Sequence, residues 1–205
     1  GFYDDILFII KHLPPKRQNL LFSATMPPKI RELARRILHQ PEEINIAISK
    51  PPAKIKQWLY IANDSQKTAL VGHLLKEQTF NKVVVFCSSK LAVKQLTREL
   101  KRLRLSADEI HSDLDQDKRE EVLMQFRSGK LHMLVATDIL SRGIDIDDID
   151  LVINYDVPHD GEDYVHRIGR TARAESDGTA YTLVSPREYR KMLSIERLIG
   201  QEVPR

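Results

Sequence analysis

The densest chemistry in the sequence lies in residues 164–173, YVHRIGRTAR, where Arg167, Arg170 and Arg173 recur at intervals of three. On a helix that spacing keeps neighbouring side chains close to one face. Three guanidiniums so placed repel one another, and a shared polyanion would relieve the repulsion. Arginine suits phosphate because its planar fork donates two parallel hydrogen bonds and stays charged when partly desolvated. The alternative is a solvated helix whose arginines pair with Glu162, Asp163 and Glu175. Other polar groups gather where apolar runs stop. In residues 135–147, VATDILSRGIDID, the chain leaves a strand through Thr137 and Asp138 and turns at Gly143, whose missing side chain lets a ligand backbone come close. Asp138 or Asp145 capping a helix is the competing reading. Gln116 and Arg119, near a helix start, could present an amide and a guanidinium to one phosphate, aided by the helix dipole that Asp115 and Asp117 weaken. Ser88 and Ser89 follow a third apolar run and either donate to phosphate or cap the next helix.

These residues need a scaffold that delivers several strand ends to one place. From Lys82 onward, short apolar runs alternate with longer amphipathic ones, which predicts βα units on a parallel sheet. Strands are expected at residues 83–87, 107–111, 131–136, 151–154 and 179–184. Helices are expected from residue 90 or so, with the stripe Ala92, Leu96, Leu100 and Leu103 facing inward, at 116–126, over 164–173 as part of a helix, and at 186–199 behind Pro186. Before residue 53 the pattern changes. Leu20, Leu21 and Phe22 read as a buried strand without a strand partner nearby, followed by a helix over 28–38. Pro41, Pro51 and Pro52 mark a linker at 41–53.

Composition narrows the class. With 205 residues, 41% of them hydrophobic, the chain can build one full core and a smaller appendage. A net charge of +3, from 32 basic and 29 acidic residues, is too balanced to mark a polyanion binder by itself, so any such case rests on placement. The single cysteine, Cys87, excludes an internal disulfide and sits in an apolar run, where packing is its expected work. Seven scattered histidines predict no metal site. No apolar run approaches the roughly 20 residues of a membrane span, and no signal-like leader is evident, so the expectation is a cytoplasmic protein without membrane contact.

Taken in order, the motifs resemble those of the DEAD-box ATP-dependent RNA helicases. Residues 166–173, HRIGRTAR, resemble the HRxGRxxR signature, with Ala172 where the family usually has glycine. Residues 135–147 resemble motif V and residues 150–158, DLVINYDVP, the segment after it. Residues 82–90, KVVVFCSSK, resemble motif IV, Gln116 and Arg119 the Q-x-x-R pattern, and Ser23-Ala24-Thr25 the S-A-T motif that closes the family's first domain. The likeness spans nearly the whole chain. It implies a RecA-like α/β fold of the P-loop NTPase type without its own P-loop: the sequence holds no G-x-x-x-x-G-K run and no Asp-Glu-Ala-Asp. On this resemblance residues 1–40 are the end of a first RecA-like domain, 41–53 the linker, and 54–205 the helicase C-terminal domain.

The resemblance also implies roles. Arg170 and Arg173 would be arginine fingers at ATP, with Asp145 at its ribose. Ser89, Gln116, Arg119, Thr137, Arg142 and Gly143 would touch the RNA backbone. Ser23, Thr25, His166 and Arg167 would couple the two domains. ATP and Mg2+ are the implied cofactors, the metal ligands and phosphate cradle lying in the first domain, and the implied partners are RNA and that first domain. The piece alone is expected to be inactive. A stand-alone RNA-binding module and a DNA translocase of the wider superfamily are the rival readings. Fingers aimed at ATP argue against the first, and stimulation by RNA rather than DNA would exclude the second.

Overall fold

The computed structural model describes residues 3–23, 26, 28–44, 54–77, 80–138, 146, 149–171 and 178–205. Two compact units divide the chain, Gly1–Ala47 and Ile48–Arg205. In the first, helices α1 (Tyr3–Lys11) and α2 (Pro28–Ile37) flank an extended segment, which Asn19 fastens by donating from Nδ2 to the Ile37 carbonyl at 3.1 Å. Leu20, Leu21 and Phe22 are not a buried strand: no ladder forms there, and Leu20 and Phe22 are 71% and 88% exposed. A strand needs a neighbour for its backbone N–H and C=O groups, and this unit holds none among its described residues. The linker expected at 41–53 lies largely outside the described residues, which resume at Lys54.

The second unit is built on one six-stranded, all-parallel sheet in the order β1-β6-β5-β2-β4-β3. Its strands are β1 (Ile55–Ile61), β2 (Val83–Phe86), β3 (Ala107–Ile110), β4 (Met133–Ala136), β5 (Leu151–Asn154) and β6 (Gly178–Val184). Central strands β2, β4 and β5 are buried along their whole length, because helices cover both faces. Val83, Val85, Leu151 and Ile153 pack towards α3 (Asp64–Glu77) and α4 (Lys90–Arg102). Val84, Phe86, Leu134 and Val152 face the opposite way, against α5 (Gln116–Arg127), where Phe126 is fully buried. A third cluster joins β1 and β6 to α6 (Gly161–Ile168) and α7 (Tyr189–Ile199).

Helix bounds differ from expectation in physically instructive ways. On α4 the buried residues are Val93, Leu96, Thr97 and Leu100, while Leu103 caps the helix and is 46% exposed. Helix α7 starts at Tyr189, after a turn through Pro186, and stops at Gly200, whose φ of 66° suits a residue without Cβ. The C-terminal residues then fold back: Val203 is buried, its N–H donating to Glu196 at 2.9 Å, and the Pro204 carbonyl accepts from Leu59 N–H on edge strand β1 at 2.7 Å.

One internal ion cluster joins β1, β5 and β6 at their carboxyl ends. Lys67, 1% exposed, donates to Glu188 at 2.7 Å and to the Tyr155 carbonyl at 2.9 Å. Burial raises the Glu188 pKa, but the Lys67 hydrogen bond and charge and the Ser185 and Val157 amides overcome it, leaving the carboxyl below the usual range. A depressed carboxyl contributes stability above its unfolded pKa, about 4.3, and that contribution is lost as pH falls through the folded value. Acid unfolding followed by circular dichroism should therefore show a shallower loss of stability below about pH 4.3 in Glu188→Gln than in the parent. Identical acid limbs would remove Glu188 from the account.

Candidate functional site

In a parallel sheet every strand delivers its carboxyl end to the same side, where ligand crevices form in such folds. Here that side carries Ser88 and Ser89 after β2, His111 after β3, Thr137 and Asp138 after β4, and Asp156 after β5. Order in the sheet puts the end of β4 between those of β2 and β3. Lys90 on α4 and Asp113 beyond β3 meet at 2.8 Å, and Lys94 reaches the same carboxylate at 3.2 Å. The two lysines hold the Asp113 carboxyl below its ordinary range.

The centre of the site is Arg167. Helix α6 begins at the Asp160 cap and runs only to Ile168, so Arg170 lies beyond it and does not continue the helical face that carries Arg167. A Cβ at Gly169 would lie 2.9 Å from the Val165 carbonyl, closer than side chains tolerate, which is why glycine ends the helix here. Arg167, the one arginine of α6, is 1% exposed. Its Nε and Nη2 donate to the two Asp138 carboxylate oxygens at 2.6 and 2.9 Å, a bidentate pair. Nη1 donates to the Asp156 carbonyl at 2.9 Å and to Asn154 Oδ1 at 3.3 Å. The guanidinium lies 5.3 Å from the centre of the Phe86 ring. Asn154 in turn donates to Thr182 at 3.2 Å, so the buried polar groups are satisfied in series. Asp138 is thus an arginine partner.

Arg170 stands two residues past α6, partly buried, with its N–H on the Arg167 carbonyl at 3.1 Å. The fixed Arg167 therefore sets where Arg170 starts. His166 is partly buried on the same helix. Arg173, Asp145, Arg142 and Gly143 lie outside the described residues, as does Thr25, while Ser23 is exposed in the first unit.

Of the other sequence-derived residues, Ser89 caps α4, its Oγ accepting from Ala92 N–H at 3.2 Å. Asp115 caps α5 and Gln116 donates along the helix to Glu120 at 2.8 Å. Arg119 Nε and Thr137 Oγ1 are buried with no hydrogen-bonding partner, two of three such side-chain atoms among the described residues. A buried polar atom without a partner calls for an explanation, and a ligand that completes it is one. Cys87 is buried, and burial followed by the Asp156 charge pushes its thiol pKa up, which makes it a packing residue. No group of His, Cys, Asp and Glu that could hold a metal occurs among the described residues, and none of their helices is long and apolar enough to cross a membrane.

Sequence reasoning overlooked Asn154, Asp156 and Phe86 as partners of Arg167, and Lys67 altogether. The signal for the first two was present, since an Asn and an Asp ending a run of buried aliphatics need internal partners.

Comparison with known proteins accords with this geometry. The helicase conserved C-terminal domain matches residues 66–175. ATP-dependent RNA helicase CshA of Listeria monocytogenes is 46% identical over 189 residues, which is 92% of this chain and 36% of that protein. The crystal structure of a DEAD box protein from the hyperthermophile Methanococcus jannaschii is 38% identical with a TM-score of 0.71, covering 100% of this chain and 55% of that one. S. cerevisiae Dbp5 bound to RNA and ADP BeF3 is 27% identical with a TM-score of 0.86, covering 98% and 55%. The chain spans less than half the length of the first curated relatives it matches, 36% and 44%. With the motifs in order and this all-parallel sheet beneath them, the chain belongs to the DEAD-box ATP-dependent RNA helicase family, of which it carries the RecA-like helicase C-terminal domain.

Proposed function

We propose that this chain is the second half of a split ATPase site and half of an RNA-backbone grip, coupling ATP turnover to local opening of RNA duplexes. The observation that carries the reading is the Arg167–Asp138 pair, which fixes the α6 terminus against the end of β4, so that Arg170 and Thr137 are set by one buried contact. Arg170 and Arg173 act as fingers that stabilise charge developing on the transferred phosphoryl group, and Asp145 takes the ribose. A first RecA-like domain supplies the phosphate cradle and the Mg2+ ligands, since this sequence has neither motif. ATP, when bound, supplies the phosphoryl group whose transfer drives the cycle. Arg167 itself is internal, so its share in interdomain coupling runs through the helix it anchors, with His166 beside it. Ser23 and Thr25 contribute from the first domain.

On the RNA side, Ser89, Gln116, Arg119, Thr137, Arg142 and Gly143 meet the sugar-phosphate backbone. The partnerless Arg119 Nε and Thr137 Oγ1 support this, because phosphate oxygens accept from both. Backbone contact of this kind positions without reading sequence, so the grip accepts RNA of many sequences. ATP and RNA each favour the closed pair of domains and thereby assist one another. The activity belongs in the cytoplasm.

The test mixes this chain with a separately expressed first RecA-like domain of a relative and measures ATP hydrolysis with single-stranded RNA, single-stranded DNA or neither. Turnover that needs both pieces and RNA is expected, with negligible turnover and weak RNA binding by this chain alone. Robust hydrolysis by the chain alone, or equal stimulation by DNA, would sink the proposal.

A further inference from the structure

Lys67 is among the largest fully buried side chains in the molecule, and nothing in the proposed chemistry uses it. It lies in the first turns of α3, near the positive end of the helix dipole, where a cation is unfavourable for the helix itself. Burying an ammonium is costly unless its hydrogens are all engaged. Here they are. Nζ reaches Glu188 at 2.7 Å and the Tyr155 carbonyl at 2.9 Å, with Asp64 and Asp156 carboxylates at 3.7 and 3.8 Å.

What Lys67 grips is the connection through residues 155–157, just past β5. Beyond the strand this backbone loses its ladder partners, yet it is held from every side. Tyr155 N–H donates to the Phe86 carbonyl at 3.0 Å, Val157 N–H to Glu188 at 2.9 Å, and the Val157 carbonyl accepts from Lys191 at 2.8 Å. Two of the connection's own groups face the site. The Asp156 carboxylate accepts from Ser88 N–H at 2.7 Å, next to Ser89, and the Asp156 carbonyl accepts from Arg167 at 2.9 Å. One residue therefore sets both the turn assigned to RNA and the arginine that seats the phosphate-facing helix end.

We infer that Lys67, clamped by Glu188, is a positioning residue that fixes Asp156 and thereby holds the Ser88–Ser89 turn and the Arg167–Arg170 segment in register with each other. The inference rests on the proposed function for the ligands involved, and on the geometry alone for the mechanical link. Because Lys67 is 1% exposed, it acts on RNA only through what it holds.

The test compares the chain with Lys67→Met, Lys67→Arg and Glu188→Gln by residue-resolved amide hydrogen exchange and by affinity for a single-stranded oligouridylate at low salt. Lys67→Met should speed exchange at Ser88 and across residues 155–170 by at least about tenfold, while β3 and α5 keep parent rates. It should weaken RNA binding by about tenfold, and Lys67→Arg should restore part of both. If Lys67→Met fails to fold, Glu188→Gln, which keeps the side-chain shape, should give the same regional pattern at about threefold. Parent-like exchange at Ser88 and 155–170, or acceleration spread evenly over all strands, would overturn the inference. Regional loosening with RNA affinity unchanged would reject the positioning role for RNA. A parent chain that fails to bind RNA while the regional pattern holds would instead refute the RNA reading and leave only the mechanical link.

Discussion

Replacing Arg170 by alanine is expected to lower RNA-stimulated ATP turnover in the two-piece mixture by on the order of 10³ or more, the scale of an arginine finger in other phosphoryl-transfer enzymes. RNA affinity should stay within about twofold, because the proposed RNA contacts come from β2, β4 and α5, while Arg170 follows α6. Arg170→Lys keeps the charge without the planar fork, so it should recover only a small part of the loss. The measurement is steady-state ATP hydrolysis at saturating RNA beside RNA binding by fluorescence anisotropy. Equal losses in both would make Arg170 an RNA-binding residue and remove it from the chemistry.

The largest stability effect is expected at Asp138. Truncating it to alanine leaves the Arg167 guanidinium buried with, among the described residues, the Asp156 carbonyl, Asn154 and the Phe86 ring to meet it. Breaking a buried pair by removing one partner costs about 3–5 kcal/mol. The lower end applies, because Asp138 is 34% exposed and water can approach the vacated side. In a domain of this size about 3 kcal/mol corresponds to a melting-temperature drop of roughly 6–12 °C. Replacing both partners, Arg167→Met with Asp138→Leu, should be less destabilising than Asp138→Ala alone, since no charge is left stranded, yet it should abolish turnover. Calorimetry on the three chains decides it: a double variant less stable than Asp138→Ala would mean that the pair stabilises the fold outright.

The sheet was largely legible because its central strands are short runs of branched apolar residues, and β5 lies where its LVIN run predicts. The first strand escaped notice: β1 sits at the edge, alternates buried with exposed residues, and includes a buried Gln57 that breaks the apolar pattern. Helix α6 was read too long, since intervals of three arginines look helical until Gly169 is placed against the Val165 carbonyl. Leu20 and Phe22 misled in the other direction, being apolar enough for a strand but without the neighbour a strand requires. The site's motifs could be found by their order, whereas the contacts that hold them could not. Lys67 meets Tyr155 and Glu188 across 88 and 121 positions, and no local pattern announces a pairing that distant.

The strand order has a practical side for anyone trimming this protein. Residues 66–175, the span matched as the helicase domain, stop short of both β1 and β6, yet those two strands form one end of the sheet and β6 pairs directly with β5. A piece cut to that span would carry β5 as a raw, apolar edge, an invitation to aggregation, and Lys67 without Glu188. On a ribosome the same dependence becomes a matter of timing. Phe86, Asp138 and Arg167 are made first, but β5 keeps one open edge until residue 182 has emerged, and edge strand β1 waits for Pro204. The nascent chain therefore holds its chemically important residues before it holds the wall that shelters them.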